Sequence, residues 1–132
     1  MNVLNDILIC HHNPGAMSRY FLTVEGTREE QRSSGVWIAT AAGSSGGLHS
    51  AGGKVLTQKS KEFQYRPREL YRGKNIYYHL KGGILKSTQR ITMTSLMREG
   101  VVFVDGSHVC LPFSFAAEIH VTQSPDPLNI IF

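Results

Sequence analysis

Two short polar stretches interrupt the apolar runs of this chain with residues that could meet a ligand. The first is Asn5-Asp6, at the start of LNDILIC (residues 4–10). Asn and Asp are poor strand formers, so their place at the mouth of a strand asks for a reason. A turn or cap is one reason, and ligand hydroxyls are another. A carboxylate beside an amide can take both hydroxyls of a ribose, the acid accepting and the amide donating and accepting. The second stretch is residues 35–53, GVWIATAAGSSGGLHSAGG. Val36, Trp37 and Ile38 read as a buried strand, and Ala42-Gly43-Ser44-Ser45-Gly46-Gly47 as a turn feeding a short helix that runs toward Ser50. Glycine lets the backbone come close to a ligand. The first N–H groups of a helix lack internal partners and carry partial positive charge. Ser44 and Ser45 are placed to supply hydroxyls at the N-cap. Such a turn suits phosphate or ribose oxygens. It fits a flexible Gly/Ser connection as well, since the stretch is neither GxGxxG nor a Walker A loop with its lysine.

Other chemistries find less footing. His11 and His12 are adjacent, so on a strand they point to opposite faces. With no HxxxH or CxxC, a metal site is not expected. Gly43-Ser44-Ser45-Gly46 does not match the GxSxG elbow of a hydrolase, and no catalytic residue is singled out. Asp105-Gly106 suits a hairpin turn, and turn chemistry alone accounts for it. Fourteen Lys and Arg against ten Asp and Glu give a net charge of +4, which favours anionic partners in general. The basic residues are scattered, with a mild cluster over residues 54–74 that is too weak and too dispersed to form a binding stripe, so they read as a solvated face and nucleic acid is not an expected partner. Cys10 and Cys110 both sit in apolar runs and are expected as buried free thiols, which suits a reducing cytoplasm. No apolar run is long enough to cross a bilayer, and no basic segment follows Met1 as a secretory signal would require.

The elements that must position these residues are mostly strands. The chain of 132 residues allows one domain, 1–132, with a modest core. Strands or extended segments are expected at residues 4–10, 19–24, 28–32, 36–40, 63–70, 75–80, 89–96, 116–123 and 128–132, with a hairpin over 101–115 about Asp105-Gly106. The only plausible helix is 44–53, of poor propensity, followed by a polar connection over 54–61 that could lengthen it. The expected class is mainly β: a many-stranded antiparallel sandwich with at most one or two short helices.

Taken together, Leu4-Asn5-Asp6-Ile7-Leu8-Ile9 and the run Ser34-Gly35-Val36-Trp37-Ile38-Ala39-Thr40-Ala41-Ala42-Gly43-Ser44-Ser45, closing with Ser50-Ala51-Gly52-Gly53, resemble the C-terminal domain of the NAD kinases. That family has an Asn-Glu or Asn-Asp motif opening a strand. A second strand then runs into Ser-Thr-Pro-Thr-Gly-Ser-Thr-Ala-Tyr and ends in Ser-Ala-Gly-Gly. Phe63-Gln64-Tyr65-Arg66-Pro67 resembles the family's Phe-Arg-Pro segment, and Val104-Asp105-Gly106 its late Asp-Gly hairpin. The resemblance covers nearly the whole chain. It implies a β-rich NAD-binding domain that packs on an N-terminal α/β domain bearing a Gly-Gly-Asp-Gly motif. The complete enzyme transfers a phosphoryl group from ATP, or polyphosphate in some members, with Mg, to the 2′-hydroxyl of the adenosine ribose of NAD. By this resemblance Asn5 and Asp6 hold ribose hydroxyls, Ser45, Gly46 and Ser50 line the NAD site, and the Gly43-Ser44 backbone shapes the turn. A homo-oligomer is implied, with a neighbouring subunit completing the site.

Three departures stand against the pattern. Gly47 replaces the family's Tyr, Ala42 its Thr or Ser, and Ser34 the Asp before the buried strand. The chain also contains no Gly-Gly-Asp-Gly. Phosphoryl transfer depends on positioning and charge neutralisation, so this chain is expected to supply the NAD-binding half of a longer protein and to be inactive by itself. The alternative is a non-catalytic module whose nucleotide site has decayed and which serves oligomerisation or binds another ligand.

Overall fold

Alternation of buried and outward residues organises the molecule into two sheets. The computed structural model describes residues 1–124 and 128–131. Among them the strands are β1 (Asn2–Val3), β2 (Asp6–His11), β3 (Ser18–Val24), β4 (Thr27–Ser33), β5 (Val36–Thr40), β6 (Phe63–Pro67), β7 (Gly83–Leu85), β8 (Arg90–Ser95), β9 (Gly100–Val104), β10 (Val109–Pro112), β11 (Glu118–Gln123) and β12 (Leu128–Ile131). They form two six-stranded sheets, ordered β1-β12-β11-β8-β3-β4 and β10-β9-β2-β5-β6-β7, with every pairing antiparallel. One face of each sheet supplies the core. Tyr20, Leu22, Ile91, Met93, Ile119 and Val121 come from the first sheet, and Ile7, Ile9, Val36, Ile38, Phe63 and Val102 from the second. Strands of period two present one face to this core, and burying both inner faces is what makes two sheets stable together. The expected mainly β sandwich is the observed fold. No helix among the described residues is long and apolar enough to cross a membrane.

The structure departs from expectation in several places. The 44–53 helix is a single turn, α1 (Gly47–Ser50), and residues 54–61 do not lengthen it. Residues 75–80 are irregular rather than a strand. Asn75 has φ +63°, Tyr77 is 84% exposed, and the His79 and Leu80 N–H groups donate to the Glu29 carboxylate at 2.8 and 3.1 Å. The segment is thus held by a side chain, not a ladder. The short strand that does pair with β6 is β7, beyond Gly82. The hairpin about Asp105-Gly106 exists, but its loop is four residues, because pairing begins at Val104↔Val109. Cys10 is buried, whereas Cys110 is exposed, since β10 is the edge strand of its sheet and lies mostly open. The expected last strand is present as β12, and Phe132 lies outside the described residues.

Candidate functional site

The two polar stretches meet at one end of β2 and β5, central neighbours in the second sheet. Asp6 pairs with Ala39 across them. Thr40, the last residue of β5, ties the two together. Its N–H donates to Asn5 O at 2.8 Å, and its hydroxyl lies 2.8 and 3.1 Å from Leu4 O and Asn5 O. The same hydroxyl accepts the Gly43 N–H at 3.2 Å. Gly43 then passes so close to the Asn5 peptide that a Cβ there would overlap it. Glycine is required by proximity, not by a turn angle.

The Asn5-Asp6 turn is fixed from a third direction by Asp105. Its Oδ2 accepts the Leu4 N–H at 3.0 Å, and its Oδ1 accepts those of Asn5 and Asp6 at 2.6 and 3.1 Å. Three successive backbone donors converge on one carboxylate, a charge-assisted arrangement stronger than neutral bonds. Asp105 and Gly106 both have positive φ, as the turn reading requires, but turn chemistry alone does not account for the aspartate.

The Gly/Ser loop is built from its buried side. Ser44 is fully buried; its hydroxyl donates to Ala41 O at 2.7 Å and accepts the Leu56 N–H at 2.7 Å. Gln64 on β6 adds a second tie, accepting the Lys54 N–H at 2.8 Å and donating to Lys54 O at 2.7 Å. These contacts draw residues 54–56 onto the loop in place of helix. The expected Ser44 and Ser45 N-cap is not formed: Gly46 occupies the N-cap and no side chain bonds there. Ser44 is turned inward to the loop's own carbonyls, and Ser45 stays exposed.

What remains open is a polar rim. Asn5, Ser45, Gly46 and Ser50 are exposed, and Asp6 is half-buried. Among the described residues, no side-chain hydrogen bond occupies the Asn5 amide, the Asp6 carboxylate, or the Ser45 and Ser50 hydroxyls. The Asp6 carboxylate faces Gly46, whose Cβ position lies 3.7 Å from Oδ2. Burial, then the neighbouring Asp105 charge, raises its pKa from the ordinary aspartate value. A half-buried carboxylate without an internal donor is set to accept hydroxyls from outside.

No family model matches the chain. A probable NADH kinase of Oryza sativa subsp. japonica is 35% identical to it over 134 residues, covering 97% of this chain and 41% of that protein. An NADH kinase of Arabidopsis thaliana is 30% identical over 100 residues, covering 75% of this chain and 31% of that one. The crystal structure of an NAD kinase from Archaeoglobus fulgidus in complex with ATP matches with a TM-score of 0.77 at 25% identity, over 98% of this chain and 48% of that one. The chain belongs to the NAD kinase family. It spans less than half the length of each of these relatives. Yeast NADH kinase complexed with NADH shares the fold, with a TM-score of 0.77 at 19% identity, over 97% of this chain and 37% of that one.

Within this NAD kinase domain, the departures at positions 47 and 34 acquire a physical setting. Gly47 lies against the indole of Trp37, where any Cβ would overlap the ring. A tyrosine at 47 and a tryptophan at 37 thus exclude each other in this backbone. Ser34 presents its carbonyl to Arg68, which donates from Nε and Nη2 at 3.1 and 2.8 Å. Ala42 is exposed, and nothing in the structure explains its departure. Sequence reasoning missed three residues that shape the site: Thr40, Asp105 and Trp37. The signal for Thr40 was its place at the end of a buried strand, where its hydroxyl needs a partner. Asp105 offered no local signal, because its partners lie about a hundred residues away.

Proposed function

We propose that this domain supplies the NAD-binding half of an NAD kinase, which phosphorylates the 2′-hydroxyl of the adenosine ribose of NAD to give NADP. The observation that carries the reading is the unpartnered Asp6 carboxylate, aimed at Gly46 beside the exposed Asn5 amide. In this reading Asp6 accepts ribose hydroxyls, and the Asn5 amide donates and accepts beside it. Ser45, Gly46 and Ser50 line the same rim, while Gly43 and Ser44 shape the loop from within. The chain's contribution to chemistry is orientation: a ribose held by two fixed groups presents its hydroxyl at a defined position. The phosphoryl group, from ATP or polyphosphate with Mg, is delivered by parts of the whole protein outside this chain. The whole protein is read as a cytoplasmic homo-oligomer in which a neighbouring subunit completes the site. The decayed-module alternative has less support, because a decayed site has no need of three backbone donors held on Asp105 to fix an otherwise free Asn5-Asp6 pair.

The test is NADP formation by the full-length gene product supplied with NAD and with ATP or polyphosphate. The expected result is NADP production that falls at least tenfold in Asp6→Ala and Asn5→Ala. No NADP from either donor, or variants as active as the parent, would contradict it.

A further inference from the structure

The outer face of the second sheet carries an aromatic pair next to the proposed ribose site. Leu8 pairs with Trp37 on one side and with Phe103 on the other, so the two rings flank one aliphatic residue on a shared face. All three are half-buried. Together with Asp6, Gly106 and Ser107 they line a mainly apolar hollow of about 290 Å³. A second hollow, about 410 Å³, opens on the other side of Trp37 toward Ser50 and Arg68. Trp37 is therefore the wall between the two, and it is held in place. Gly47 lets the indole lie flush against the loop, and the Arg68 guanidinium stands 5.9 Å from the ring centroid, itself anchored on Ser34 O.

We propose that Trp37, with Phe103, forms the stacking platform for a planar heteroaromatic base whose ribose is held by Asp6. A hollow at the lower end of the size range for small-molecule sites has room for a base and part of its sugar, and not for a whole dinucleotide. Its walls include two aromatic side chains, Trp37 and Phe103, a residue type that holds bases by stacking. The one carboxylate at its edge is the group already suited to ribose hydroxyls. Aromatic walls with a hydroxyl acceptor at the rim are the chemistry of a nucleoside. The inference rests on the nucleotide-binding reading above and adds where the base lies. It also makes Gly47 a requirement of the platform, since the loop must carry no side chain where the indole sits.

Trp37 is the single tryptophan of the chain, so its fluorescence reports this position alone. NAD is titrated into the chain while heat and tryptophan emission are followed on matched samples, with ribose 5-phosphate as a ligand lacking a base. The platform predicts saturable quenching by NAD with the same midpoint as the heat, and none by ribose 5-phosphate. Trp37→Phe, which keeps a ring over Gly47, is expected to weaken NAD binding several-fold, and Trp37→Ala about tenfold or more. Adding Gly47→Tyr to Trp37→Ala is expected to recover part of that loss, which a packing defect alone would not do. Should Trp37→Ala not fold, as judged by its thermal melt, the emission data and Trp37→Phe decide the matter. Saturable heat with unchanged emission, or with unaltered affinity in the Trp37 variants, overturns the platform and leaves the nucleotide reading intact. Absence of both heat and quenching overturns the platform, which must hold NAD through this chain's own residues, and NADP formation by the full-length protein then decides the nucleotide reading.

Discussion

Two polar clusters in this molecule differ in whether their side chains are satisfied. The first lies within the sandwich. Tyr20, Gln31 and Ser33 are fully or nearly fully buried. The Tyr20 hydroxyl donates to Gln31 Oε1 at 2.8 Å and shares a hydrogen bond with Ser33 Oγ at 2.8 Å. Gln31 Nε2 donates to Glu29 Oε1 and Leu80 O, both at 2.7 Å. Burial drives the Tyr20 pKa strongly upward, so the phenol remains a donor. The second cluster is the Asn5, Asp6, Ser45 and Ser50 rim, whose side chains have no hydrogen-bond partner among the described residues. Its backbone, by contrast, is pinned by Thr40 and Asp105. One cluster spends its polar groups on the fold. The other fixes its main chain and leaves its side chains open, which is the arrangement a preorganised ligand site needs.

The contrast can be broken first on the satisfied side. Gln31→Ala removes three hydrogen bonds, two of them buried, and strands part of the Tyr20 and Glu29 pairing. It should cost about 2–4 kcal/mol in stability, read by chemical denaturation. Next comes the contact between the Gly/Ser loop and the Asn5-Asp6 turn. Gly43→Ala drives a methyl into the Asn5 peptide, and overpacking of this kind costs about 1–3 kcal/mol; the same variant should lose NAD binding because it moves Asn5. Asp105→Ala gives up three backbone hydrogen bonds at a more exposed position. Its expected cost is about 1–2 kcal/mol. Asp105→Asn tolerates the same positive φ, so a matching loss in that variant would assign the effect to the carboxylate and not to the turn.

The open side should respond with the opposite sign. Burial and the Asp105 charge raise the Asp6 pKa in the folded state. A carboxylate raised in this way contributes stability that is present below its unfolded pKa and is lost as pH rises through the folded value. Asp6→Asn removes that loss. At pH 7 it should therefore be more stable than the parent, while near pH 3 the two should agree in urea denaturation. Gaining stability on losing a site carboxylate is the mark of a group kept for binding.

Much of this architecture was legible in the sequence, for reasons that differ by element. Strands such as β3 and β8 alternate buried and outward residues cleanly, and period two survives any tertiary setting. Residues 75–80 misled because Ile76 and Tyr77 are strand-like by type, yet here they face outward on a segment held by Glu29. The site was legible at Asn5, Asp6 and the glycine-rich loop, where composition conflicts with the flanking strands. Its supports were not, because Asp105 and Trp37 act through partners distant in sequence, and nothing local marks such contacts.

The most direct test of the account is calorimetric titration of NAD into the full-length protein, with Asp6→Ala measured in parallel. The account predicts saturable binding in the parent that is lost or weakened at least tenfold in the variant, with both proteins folded. Equal binding by the two, or none by the parent, would contradict it.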